Sequence, residues 1–306
     1  MGIFGRLSVP AHDLTGKVAI VTGANIGIGL ETARYFAANN ATVILACRNP
    51  TKAETALLDI KSTTSNNKIE AWALDLSLFT SVREFAVKFL ATGQQLDILI
   101  NNAGMLTESL LFLLFLAGGR PKLTKTADGF EEMYQVNHLS HFLLTNLLFP
   151  ALKKAPAARV INVSSDASGM GAVDFDNMNG EKSYSQFYFY SNSKLYNILF
   201  TNELARRVKD DGIVVHAVHP GLVATDFGKD FGPFVKTVFK TVAFLIARDS
   251  VEGAQTTIHT AVSEEAGSVT GKFWDSCKQR IPNKLAVDEE LQRRLWEVSV
   301  KAVKLQ

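Results

Sequence analysis

The stretch KVAIVTGANIGIG, residues 17–29, decides how the rest of the chain reads. Its first half is an apolar, β-branched run of strand length closed by a glycine, the pattern of a buried strand. Its second half carries Gly23, Gly27 and Gly29 just where the pattern of a helix, GLETARYFAANN, begins. Glycines between a strand and a helix permit a tight turn and close approach of backbone to a phosphate seated at the helix N-terminus. Their spacing differs from G-x-G-x-x-G, yet the position at the head of a strand–turn–helix unit favours nucleotide binding over a purely structural turn.

Downstream the same alternation continues. TVILACR (42–48), KIEAWALDL (68–76), LDILINNAG (96–104), ARVINVSS (158–165) and IVVHAVHPG (213–221) read as further strands, with GKFWDS (271–276) as a seventh. Helical patterns fall between them, at PTKAETALLDIKS, at SLFTSVREFAVKFLATG, and over 127–153 and 187–210. Several strands are apolar on both faces, which implies a parallel sheet covered by helices on both sides. No repeat or Gly/Ser/Pro-rich linker divides the chain, so 1–306 reads as one domain with a core over about 17–275 and a helical tail at about 286–306.

Composition fits a folded chain of 306 residues, 47% hydrophobic and 20% charged. A net charge of +2 gives no electrostatic case for nucleic acid. Cys47 and Cys277 form neither a disulfide framework nor a metal-ligand spacing, so a reducing, intracellular setting is expected. His138 and His141 lack a carboxylate partner pattern and read as helix packing or surface residues, with no metal expected. His219, beside Pro220, reads as structural.

The second strand ends in Arg48, with no acid at 46–50. A guanidinium there suits the 2′-phosphate of NADP, where a carboxylate would suit the free ribose hydroxyl of NAD. NADP(H) is therefore expected, with NAD(H) as the alternative. In YSNSK (190–194), Tyr190 and Lys194 stand four residues apart, on one face of a helix. An ammonium beside a phenol favours the phenolate and would tune Tyr190 as an acid/base.

TGANIGIG, NNAG (101–104), YSNSK and HPG (219–221), in this order and spacing, resemble the short-chain dehydrogenases/reductases over about residues 17–274. DGFEEMYQVNHLSHFLLTNLL, RVINVSS and SKLYNILFTNELARR resemble its retinol-dehydrogenase-like branch, including the dehydrogenase part of WW-domain-containing oxidoreductases. About a dozen residues precede the first strand, so no WW domain is expected ahead of it.

The resemblance implies a Rossmann-type doubly wound sheet and a catalytic set of Asn137, Ser165, Tyr190 and Lys194. Ser165 would hold the substrate oxygen, with Ser164 as its competitor, and Asn137 would hold a water of a proton relay. It further implies cofactor contacts from Gly23, Asn25, Gly27, Ile28 and Gly29, and from Asp75 and Leu76 after the third strand. Asn102, Ala103 and Gly104 would line the fourth strand end; Pro220, Gly221, Val223 and Thr225 would lie beside the nicotinamide. Tyr190 and Lys194 would also touch the cofactor. The implied activity interconverts an alcohol and an aldehyde or ketone, on a lipophilic substrate of retinoid, steroid or lipid-aldehyde type. The rival is a cofactor-binding scaffold with incidental redox activity, disfavoured because all four catalytic residues are present.

Two apolar stretches depart from a plain enzyme of this kind. Residues 105–123 (MLTESLLFLLFLAGGRPKL) are longer and more apolar than a strand-to-helix connection requires. Residues 226–250 mix Phe231, Phe234, Val238 and Phe239 with Lys236, Lys240 and Arg248, a composition that suits a helix over the pocket resting on a membrane surface. Peripheral membrane contact is expected on that ground, and a homodimer is the expected assembly if the chain is not a monomer.

Overall fold

The computed structural model describes residues 7–105, 122–221 and 248–305. The apolar stretches 110–117 and 234–247, together with Val223 and Thr225, lie outside them. Strands β1 (Val18–Thr22), β2 (Thr42–Cys47), β3 (Ile69–Ala73), β4 (Ile98–Asn101), β5 (Arg159–Val163), β6 (Val214–His219), β7 (Lys272–Asp275) and β8 (Lys278–Arg280) form one sheet in the order 3-2-1-4-5-6-7-8. The first seven run parallel, and β8 returns antiparallel to β7. Chain order reverses between β1 and β4, so a crevice opens beyond their C-terminal ends.

Alternation along the strands feeds two apolar layers. Ile20, Ile44, Leu99, Val160 and Val215 face α3 (Phe79–Ala91), α4 (Ser140–Leu147) and α5 (Gln186–Arg207). Val21, Val43, Leu45, Ile100 and Ile161 face the other layer, with Phe36 of α1 (Gly27–Ala38), Ile60 of α2 (Pro50–Thr64) and Ala261 of α6 (Ser250–Val262). The tail helix α7 (Glu289–Ala302) packs Leu295 into the first layer. The expectation of helices on both faces of a doubly wound sheet holds.

The segment 127–153 differs from the single helix its pattern predicts. Lys125 bridges Glu131 first. The buried Glu131 carboxylate then accepts from the Tyr134 N–H at 2.7 Å and starts the helix at Glu132. Residues Gln135–Leu139 form a π-turn, α4 follows, and a break at Leu148 separates it from the short helix Phe149–Leu152, which carries Pro150 in its first turn. Proline ends such a run because it lacks an N–H and its ring crowds the preceding turn.

Candidate active site

At the crevice, Gly23 and Gly27 have φ of +66° and +60°, backbone that other residues rarely adopt. A Cβ at Gly29 would stand 2.5 Å from the Gly23 carbonyl oxygen and 2.5 Å from Asn102 Nδ2. Helix α1 begins after Ile26 without a side-chain cap, which leaves its first amides to another partner. A turn this tight, beside an uncapped helix start, fits a pyrophosphate. Asn25 and Ile28 are half-buried in it. Beneath it, the Cys47 thiol takes hydrogen bonds from the Ala24 and Asn25 amides, and burial pushes its pKa up to about 11. That thiol is a packing group.

Thr22 ties this turn to the end of β4. Its hydroxyl accepts from the amides of Asn102 and Ala103, each at 2.9 Å, while Asn102 Nδ2 donates to the Thr22 carbonyl at 2.8 Å. Arg48 is exposed just past β2. Asp75 accepts from the Ser77 amide and hydroxyl at 2.9 and 2.7 Å. The Leu76 side chain lies in the core and its carbonyl accepts from Ser140 Oγ at 2.5 Å, so any cofactor contact there falls to its backbone. Pro220 is buried, and Gly221, at φ +87°, lies against the Arg248 guanidinium.

Helix α5 carries Tyr190 and Lys194 into the same crevice. The Lys194 ammonium is buried, donates to the Val163 carbonyl at 3.2 Å, and lies 5.7 Å from the centre of the Tyr190 ring. Burial pushes its pKa down to about 8. Burial also raises the Tyr190 phenol above its ordinary value, opposed by a hydrogen bond with Ser165. The ammonium thus donates to a backbone carbonyl while standing beside the phenol ring, and the hydrogen bond with Ser165 favours the phenolate.

The two serines separate cleanly. Ser164 is buried and donates to the Lys194 carbonyl at 2.7 Å, holding α5 to the sheet. Ser165 faces the phenol, and its Oγ also accepts from the Ala167 N–H at 3.2 Å. Asn137 sits in the π-turn. Its Oδ1 accepts from Met105 N at 2.7 Å, while Nδ2 donates to Met105 O and to Ser193 Oγ, each at 3.0 Å. One lone pair of Oδ1 remains. A Cβ built at Gly104 would stand 3.2 Å from Lys194 Nζ and 3.5 Å from Asn137 Oδ1, so both polar ends meet beside that glycine. The sequence pointed past Thr22 and Ser193, although both lie inside motifs it singled out. Ser193 donates to the Tyr190 carbonyl at 2.7 Å and so connects Asn137 to the tyrosine's turn of helix.

His138 and His141 are buried packing residues. His138 meets Ser299 of α7 at 2.9 Å and His141 meets Thr22 at 3.0 Å, with pKa values pushed down by burial to about 3 and about 4.

A glycine turn at the switch point of a doubly wound sheet, facing a Ser–Tyr–Lys cluster, defines an oxidoreductase of the α/β class. More narrowly, the chain belongs to the short-chain dehydrogenases, whose family signature, described as short chain dehydrogenase, spans residues 17–235. It is 41% identical over 298 residues to retinol dehydrogenase 13 of Homo sapiens, covering 96% of this chain and 86% of that one. It is 42% identical over 297 residues to retinol dehydrogenase 12 of Homo sapiens, covering 94% and 86%. Among solved structures it resembles an uncharacterized protein from Mycobacterium paratuberculosis, with a TM-score of 0.75, 30% identity and 96% of each chain covered. The fold is shared with the Pseudomonas aeruginosa RhlG/NADP active-site complex at a TM-score of 0.67 and 23% identity, over 93% and 100% of the two chains.

Proposed function

We propose that this chain, as one short-chain dehydrogenase domain, is an NADP(H)-dependent oxidoreductase that interconverts an alcohol and an aldehyde or ketone on a lipophilic, retinoid-like substrate. The observation that carries the reading is the cluster at the crevice: Ser165 against the Tyr190 phenol, with Lys194 beside that ring and meeting Asn137 next to Gly104. The names of the relatives supply the substrate class, and the exposed Arg48 supports the choice of NADP(H). Gly23, Gly27 and Gly29 would hold the pyrophosphate, Arg48 the 2′-phosphate, Asp75 the adenine, and Pro220 and Gly221 the nicotinamide side.

When bound, the reduced nicotinamide supplies the hydride. Ser165 Oγ donates to the carbonyl oxygen of the substrate. Tyr190, held protonated by burial, gives its proton to that oxygen in reduction and takes it back in oxidation. A positioned acid/base contributes about 10²–10⁴-fold. Lys194, with a pKa of about 8, is mostly protonated at pH 7 and stabilises charge formed at the phenol. After reduction Lys194 passes a proton to the phenolate, and a water on the free lone pair of Asn137 re-protonates Lys194 from solvent.

The test follows NADPH absorbance with retinal as substrate, in wild type and Tyr190→Phe. The variant should bind NADPH as wild type does and lose nearly all turnover. Retained turnover would sink the mechanism.

A further inference from the structure

From sequence alone His219 reads as a structural residue beside the cofactor segment. Its contacts say more. Its Nδ1 accepts from the Asp166 backbone N–H at 3.2 Å, and its Nε2 lies 3.3 Å from Asp166 Oδ2. That N–H belongs to the peptide joining Ser165 to Asp166. One imidazole therefore grips the peptide of the candidate substrate-binding serine at both its amide and the following carboxylate. Asp166 is braced from the far side by Arg280 of β8, which also reaches Asp275 at 3.1 Å. Arg248 completes the brace, donating to the Pro220 carbonyl at 3.1 Å and to Ser276 Oγ at 2.7 Å.

We propose that His219 is a positioning residue for Ser165: neutral, with its proton on Nε2, it fixes the Ser165–Asp166 peptide and so the direction in which the Ser165 hydroxyl faces Tyr190. The inference rests on the role given to Ser165 above. The chemistry dictates the tautomer. Nδ1 can accept from an N–H only while it keeps its lone pair, and Nε2–H then points at the carboxylate. Imidazolium would set one N–H against another and release the peptide, although the carboxylate would still attract the ring.

The groups facing His219 are Asp166 and Asp275, which favour the charged ring, and Arg280 and Arg248, which oppose it. Burial opposes it most, and the net shift is downward. The grip is therefore intact near neutral pH and opens in acid.

Asparagine places Oδ1 on the same Cγ that carries Nδ1 in histidine, accepts the same N–H and does not titrate. His219→Leu should lower kcat for retinal reduction about tenfold at pH 8, the scale of one lost hydrogen bond near a transition state, with KM for NADPH little changed. His219→Asn should recover most of that loss and flatten the acid limb of the kcat profile. Asp166→Asn should move the limb to lower pH, because the carboxylate raises the His219 pKa. Nitrogen-15 spectra of the imidazole, with exchange of the Asp166 amide, read the grip whether or not retinal is turned over. A bare Nδ1 and a slowly exchanging Asp166 amide at pH 7 are expected.

A proton on Nδ1 at pH 7 would overturn the inference. So would equal kcat profiles for the wild type, Leu and Asn forms in an enzyme that Ser165→Ala inactivates. Should Ser165→Ala keep full turnover, the reading of Ser165 itself fails, a result distinct from either. If His219→Leu fails to fold, the pH profile of His219→Asn decides.

Discussion

Replacing Gly29 by alanine sets two effects of opposite sign against each other. Gly29 lies in the first turn of α1, where helix propensity alone favours alanine by about 1 kcal/mol. The added Cβ would stand 2.5 Å from the Gly23 carbonyl oxygen, where ordinary C···O contacts lie at about 3.3–3.6 Å. That oxygen cannot retreat cheaply: Gly23 has φ +66° and its N–H is tied to the Ala46 carbonyl at 2.8 Å. The second obstacle, Asn102 Nδ2, is bonded to the Thr22 carbonyl. Overpacking of this kind costs roughly 1–3 kcal/mol, so the contact wins and the net loss is about 0–2 kcal/mol. The melting temperature should fall by about 2–4 °C for each kcal/mol lost. NADPH affinity should fall further, by about tenfold or more, because the atoms pushed aside shape the turn proposed to receive the pyrophosphate. Thermal melts and NADPH fluorescence titrations read the two losses separately. Gly169→Ala is the control, since a Cβ there meets nothing within 4 Å. A Gly29→Ala protein that melts higher and binds NADPH as tightly as wild type would refute the cradle.

Arg48→Ala should weaken NADPH binding by about 10- to 150-fold, the range of a charge-assisted hydrogen bond, and leave NADH nearly unchanged; titration of both cofactors decides, and equal losses would count against a 2′-phosphate contact. Lys194→Met should abolish turnover yet stabilise the cofactor-free protein below pH 8. The sign follows from the depressed folded pKa: between about 8 and the unfolded value of 10.5 the unfolded chain binds the extra proton, so this group's contribution rises with pH across that window. Melts of both proteins from pH 6.5 to 10 test it, and parallel curves would contradict it. The stretch 226–250 should carry the protein to the top of a gradient with anionic liposomes; protein found wholly in the soluble fraction would exclude membrane contact by this stretch.

The sheet was legible because its inner parallel strands are buried on both faces and so read as apolar runs, β1, β2 and β4 most plainly; β3 (IEAWA), at the sheet edge, and β7 (KFWD) carry exposed Glu70 and Lys272 instead. The glycine turn was legible because positive φ at Gly23 and Gly27 demands that residue. Strand β8 was not. It is three exposed residues, KQR, reached through a turn whose central Ser276 and Cys277 take φ of +53° and +59°. Two-residue hairpins of this type normally announce themselves with Asn-Gly or Asp-Gly. Here tertiary contacts hold the turn instead: Arg248 donates to Ser276 Oγ, and the Cys277 N–H donates to Thr256 Oγ1 at 3.2 Å. No local pattern encodes a partner 28 residues away. Yet this hairpin carries Arg280 to Asp166, beside the candidate catalytic serine.

Spacing likewise identified Tyr190 and Lys194 but could not supply their proton affinities. In water a phenol ionises at about 10, just before a lysine at about 10.4. In the folded chain the order is reversed, because burial raises the first and lowers the second to about 8. Both shifts come from the apolar surroundings that the strand runs and α5 create, and neither is a property of the YSNSK segment alone. The consequence is chemical: at pH 7 Tyr190 holds its proton and Lys194 keeps most of its charge, so the phenol is ready to give a proton while a buried cation waits close by. A charge in such a low-dielectric place acts more strongly than it would in water. The same burial that costs the fold stability at Lys194 therefore gives the site its electrostatic leverage.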